Sequence, residues 1–98
     1  PCIMPRITAI LDYTTPENVF ELKTEGLVPV DDPIFFQYTE GAKWFQPDFK
    51  HLRERMRYVF EHQDEARKVG ERAAQDMREK WTWNHVAQIA ISLLEELS

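Results

Sequence analysis

Apolar residues follow a helical period through the second half of this chain and no single period through the first. Phe49, Leu52, Met56, Val59 and Phe60 recur at helical spacing and predict one amphipathic helix over about residues 48–62. Ala66, Val69, Ala73 and Met77 trace a narrower face of mostly small side chains on a second helix, over about 64–81, with Trp81 as its last anchor. Gly70 beside that face allows a neighbouring backbone to approach closely. A third helix, over about 83–97, is different. Trp83, Ala87, Ala90, Leu94 and Leu97 form one stripe, Val86, Ile89 and Leu93 a second beside it, and Ile91 lies off both. A helix apolar over that much of its circumference has partners on two sides. Two short helices and a few strands do not cover it, so self-association through residues 83–97 is expected.

Capping residues set the helix boundaries. Asp48 after Pro47 is an N-cap, its carboxylate facing the unpaired N–H groups and the positive end of the helix dipole. His62-Gln63 ends that helix, Asp64 is placed to cap the next, and Thr82 to cap the last. Opposite charges four apart lace the outer face of the second helix: Asp64 with Lys68, Arg67 with Glu71, Arg72 with Asp76 and Asp76 with Lys80. Lys50 with Glu54 and Glu54 with Arg57 are the corresponding surface pairs on the first.

All six prolines lie before residue 48, so residues 1–47 are read as short strands, turns and ordered loops. Cys2-Ile3-Met4 is a short strand ending at Pro5, and Ile7–Leu11 a loop or a single helical turn. Thr15-Pro16 has the form of a capped helix start. Val19–Lys23 and Leu27–Val30 are β-prone, and Glu25-Gly26 between them suits a hairpin, with Pro29 confining the second strand to an edge. Gly41 precedes a short run into Trp44 and Phe45, which are expected to anchor the core. The fold class is therefore α/β, with strands and loops followed by three α-helices, in one unit spanning residues 1–98.

Composition narrows the function classes. The net charge of −5 is uneven: residues 1–47 carry three bases against seven acids, and residues 48–81 nine against eight. No basic footprint for a nucleic acid is present. No apolar run is long enough for a transmembrane segment, and Pro1-Cys2-Ile3-Met4 is unlike a signal peptide. Cys2, the single cysteine, fits a reducing, cytoplasmic setting. A first residue of Pro in place of Met suggests a processed chain or an excised piece.

Candidate chemistry is sparse. His51, His62 and His85 are too widely spaced for a local metal motif, and Cys2 has no partner cysteine. Lys50 with Arg53, Arg55 and Arg57 could grip phosphate, but positions two apart fan around a helix, and Glu54 stands among them; a solvated face is favoured. Asp31-Asp32 could be a carboxylate dyad, yet beside Pro33 a turn is the simpler role. There is no Gly-rich phosphate loop, nucleophile elbow or HExxH motif. No catalytic, cofactor-binding or metal-binding residue is assigned.

The order of several small motifs nevertheless resembles a known family. Gly41, Trp44, Pro47, Leu52, Met56-Arg57, Glu65-Ala66, Gly70, Ala73 and the Trp81-Thr82-Trp83 run are similar to the carboxy-terminal stretch of family 4 (group 1) glycosyltransferases. Pro1-Cys2-Ile3-Met4 resembles that family's Pro-Val-Ile-Ala strand, and Asp12–Asn18 its acid-aromatic-x-Thr-x-Glu-Asn segment. The resemblance implies two Rossmann-like domains facing across a cleft, with a nucleotide-sugar donor held mostly by the second. It implies a retaining sugar transfer to an unknown acceptor, and a last helix that returns to an upstream domain of the same protein. The family's Glu-x7-Glu acids and basic donor-phosphate residues lie upstream of its corresponding strand and have no counterpart here. Its small glycine turn is replaced by Thr8-Ala9. The segment is then a closing layer, inactive alone. A free-standing helical interaction or dimerisation module is the alternative, and nucleic-acid binding through Lys50–Arg57 a third.

Overall fold

Two short strands run parallel, with a helical turn between them in the chain. This computed structural model describes residues 1–31 and 41–98. Strand β1 (Ile3–Met4) leads through helix α1 (Ile10–Tyr13) to β2 (Phe20–Glu21), and the register pairs Ile3 with Phe20 and Met4 with Glu21. Parallel strands cannot be joined by a tight turn, which is why the intervening chain must cross over. Phe20 N donates to Cys2 O at 2.8 Å and Leu22 N to Met4 O at 3.0 Å. Around β2 the side chains alternate, with Phe20 and Leu22 buried and Glu21 exposed.

The expected hairpin between Val19–Lys23 and Leu27–Val30 does not form. Strand β3 (Thr24–Pro29) contains Glu25 and Gly26, and pairs antiparallel with β4 (Lys43–Pro47) through Leu27–Phe45, Val28–Trp44 and Pro29–Lys43. The register shifts between Thr24 and Leu27, where Gly26 takes φ +98°. The glycine therefore serves a β-bulge instead of a turn, and the left-handed backbone there is one that only glycine adopts without strain. Gly41, φ +78°, leads into β4 as expected. Trp44 and Phe45 are not core anchors: they are 36% and 37% exposed. No other described element packs extensively on the β3–β4 pair, so neither face of this ribbon is deeply buried.

Thr15-Pro16 begins a turn and not a helix. The Asn18 side chain takes the Thr15 N–H at 2.7 Å, while Asn18 N donates to Thr15 O at 3.2 Å. This local capture of the backbone competes with helix formation.

Helix α2 (Phe49–Glu61) starts as the sequence suggests, with Asp48 Oδ1 accepting from His51 N at 3.0 Å. Helix α3 (Gln63–Lys80) begins earlier than expected, because His62 alone is both the end of α2 and the cap of α3. Its N–H donates back to Tyr58 O and its carbonyl accepts from Ala66 N, each at 2.9 Å. Asp64 consequently lies inside the first turn, where it pairs with Arg67 at 3.6 Å. Ala66 is buried, and a Cβ on Gly70 would stand 3.0 Å from Pro1 N, so the small face of α3 does admit a close backbone.

Helix α4 (Trp83–Leu97) is capped by Thr82, whose Oγ1 accepts from His85 N at 3.3 Å. It packs extensively on no described element. Trp83 is 88% exposed and Leu97 85%. The radius of gyration is 17.8 Å, against about 13 Å for a compact domain of this length. The architecture is mixed α/β, with a buried apolar centre made of Val19, Phe20, Leu22 and Ala66.

Candidate functional site

The most constrained polar cluster joins the Thr14–Asn18 turn to α3. Thr14, Asn18 and Asp76 are all buried. Asn18 Nδ2 donates to Asp76 Oδ2 at 3.0 Å and to Tyr13 O at 3.3 Å, while Asp76 Oδ1 accepts from Arg72 Nε at 3.1 Å. On the other side of the turn, Thr14 Oγ1 donates to Ile10 O at 2.6 Å, and Arg6 Nη2 donates to Thr14 O at 3.2 Å. Asp76 was expected on the solvated face of the second helix; it faces inward instead. Four residues after Arg72 it keeps that pair, but its second oxygen is taken by the turn. The Asn18 hydrogen bond, with Arg72 and Lys80 nearby, holds its carboxyl below the usual carboxylate range against the opposing effect of burial.

Beside this cluster lies an apolar cavity of about 140 Å³, bounded by Cys2, Met4 and Val19 on one side and by Ala73 and Met77 on the other. Thr14 and Asn18 also border it. Their polar atoms are already engaged with protein partners. The cluster therefore holds two segments in register and presents no unpartnered base or nucleophile.

The candidates singled out from sequence are scattered. His51 Nδ1 accepts the Lys23 N–H at 2.9 Å, which fixes β2's exit against the start of α2. His62 sits with Nδ1 2.8 Å from Tyr58 O and stacks on the Tyr58 ring, centroids 3.9 Å apart. His85 Nδ1 lies 2.6 Å from Thr82 Oγ1. Each histidine is thus used at a joint between elements, and no group of metal-ligating side chains is found among the described residues. Tyr58 OH donates to Glu65 Oε2 at 2.6 Å, and that bond raises the phenol above its ordinary range. Cys2 is free and exposed. Asp31 is exposed, and its proposed partner Asp32 lies outside the described residues.

The arginine series divides as its spacing requires. Arg55 Nε donates to Glu21 O at 3.0 Å on the sheet side of α2. Arg53 and Arg57 lie one turn apart on the other side and border an open hollow with Met56 and Phe60. Sequence reading missed the Asn18–Asp76 latch, because its partners are far apart in the chain. The available signals were an Asn closing a Pro-containing turn and an Asp one turn after Ala73 and beside Met77. No protein-family model, curated protein or solved structure matches this chain.

Proposed function

We propose that this chain is the C-terminal portion of the donor-binding domain of a retaining glycosyltransferase, one that moves a sugar from a nucleotide-sugar donor to an acceptor. In this reading it is a partial Rossmann-like segment of a cytoplasmic enzyme, and its own role is architectural. The observation that carries the reading is the parallel β1–β2 pair with its crossover, followed by helices. Parallel strands belong to sheets covered on both faces and continued at their edges. Here each strand is two residues long and the pair has no third strand among the described residues, as suits the rim of a larger sheet. Donor chemistry then resides upstream, in agreement with a latch whose groups are all engaged. No described helix is long and apolar enough to cross a membrane.

The test is the reading frame around this segment and the activity of its product. An upstream Glu-x7-Glu, with nucleotide-sugar hydrolysis or transfer by the full product and none by residues 1–98 alone, is the expected result. A start codon immediately before Pro1, or efficient turnover by the 98 residues, would sink the reading. A helical interaction module is the second reading, and the exposed apolar length of α4 favours it.

A further inference from the structure

Helix α2 carries an apolar stripe that the other described residues leave open. Phe49, Met56 and Phe60 lie near one line along the helix and are 57%, 57% and 72% exposed. A cationic rail runs along one side of that stripe, made by Lys50, Arg53 and Arg57, and none of the three is in an ion pair with a described residue. The α2 helix as a whole holds four bases against two acids. Its complement is within the same sequence. Helix α4 has no lysine or arginine, carries Glu95 and Glu96 in its last turn, and exposes Val86, Ile89, Leu93 and Leu94. The two helices are of similar length, 13 and 15 residues.

We propose that α4 of one copy docks antiparallel on the α2 stripe of a second copy, with the exchange reciprocal about a two-fold axis. In that direction Glu95 and Glu96 come beside Lys50 and Arg53, and the negative end of the α4 dipole meets the positive end of α2. The contact is between copies and not within one. In its own chain α4 follows α3 after Trp81 and Thr82 and packs extensively on neither α2 nor any other described element, so both faces stand open to a second copy. Reciprocity makes the interface closed, so it stops at a dimer. A standard interface removes about 1,600 Å², and aromatic side chains contribute on the order of 150–250 Å² each. Phe49, Phe60 and Trp83 from two copies supply a large part of that. Because α4 is apolar over a wide arc, this contact and docking onto another part of a longer enzyme are not exclusive.

Sedimentation equilibrium of the 98-residue chain tests the proposal. A dimer is expected, with Lys50→Glu/Arg53→Glu and Glu95→Lys/Glu96→Lys each weakening it at least about tenfold, the scale of losing desolvated charge pairs. The combined four-fold variant should recover most of the association, because the pairs are restored with signs exchanged. All four substituted positions lie on exposed helix surface, so the variants keep their helical circular dichroism. A monomeric parent chain overturns the proposal, as does a dimer indifferent to both reversals or no recovery in the combined variant. A monomer that floats with anionic phosphatidylglycerol vesicles overturns it in favour of a lipid surface. The glycosyltransferase reading is untouched by any of these outcomes, and its own failure leaves the dimer standing.

Discussion

Replacing Asn18 by alanine is the sharpest probe of how the two halves of the chain are held together. Asn18 is 2% exposed and makes three hydrogen bonds, accepting from Thr15 N at 2.7 Å and donating to Tyr13 O and Asp76 Oδ2. The alanine strands the buried Asp76 Oδ2 and the part-buried Thr15 N–H and Tyr13 carbonyl, and removes the side chain that links turn and helix. Stranded buried groups cost about 1–3 kcal/mol each at most sites, and partial rehydration recovers some of that, so Asn18→Ala should lose about 2–3 kcal/mol. The loss must also depend on pH. Because Asp76 is held below the ordinary carboxylate range in the folded protein, the unfolded chain binds more protons in that window. Stability from this group is therefore present above the unfolded carboxylate pKa and is lost as pH falls through the lowered folded value. Urea unfolding followed by tryptophan fluorescence, at fixed protein concentration and at about pH 7 and about pH 3, reads both effects. Asn18→Ala should show its larger penalty at neutral pH and a smaller one in acid. Asn18→Asp, which sets a second carboxylate against Asp76, should be worse at neutral pH and recover more on acidification. An equal penalty at both pH values, or one below about 0.5 kcal/mol at neutral pH, would refute the latch.

Two further substitutions test local structure. Thr8 is β-branched yet takes φ +49°, a conformation that costs a non-glycine residue about 1–2 kcal/mol, whereas a glycine there gives back only part of that through its freer unfolded chain. Thr8→Gly should raise stability by about 0.5–1 kcal/mol, and a lower urea midpoint would contradict the strain. Thr82→Ala removes the α4 cap at a cost of about 1 kcal/mol. Since α4 has little other support among the described residues, hydrogen exchange should quicken at residues 83–86 and not in α2; unchanged exchange at 83–86 would count against the cap.

The helical half was legible because its signals are local. The Asp48 and Thr82 caps and the faces of three helices follow from side chains within a turn or two of one another, and the structure places the helices within a few residues of their expected bounds. Where the reading failed, the deciding partner was distant. Gly26 serves as readily in a bulge as in a turn, and only β4, some fifteen or more residues on, selects the bulge. The single helical period could not show that Asp76 faces the turn at Asn18, because charge alone assigns an aspartate to water. Trp44 and Phe45 were expected to be buried on hydrophobicity, but burial needs a second layer, and the ribbon they lie on has none of any extent among the described residues. His62 illustrates a smaller failure. A helix can be broken and restarted at one residue, so the residue with the better capping chemistry, Asp64, was displaced by the one at the geometric joint.

The open faces of α2 and α4 and the thin centre have one physical cause. Among the described residues, Val19, Phe20, Leu22 and Ala66 are the buried apolar side chains, too few to offset the conformational entropy of ordering two ribbons and three long helices. The latch at Asn18 and Asp76 supplies registry but little net free energy, since each hydrogen bond replaces one to water. What remains available is the apolar surface of α2 and α4, which stabilises the fold only when something covers it. Stability should then rise with whatever covers those helices, by mass action if the cover is a second copy. In that case the urea midpoint of the parent chain increases with protein concentration, while that of Lys50→Glu/Arg53→Glu stays flat. A parent midpoint independent of concentration would rule out a second copy as the cover of these helices.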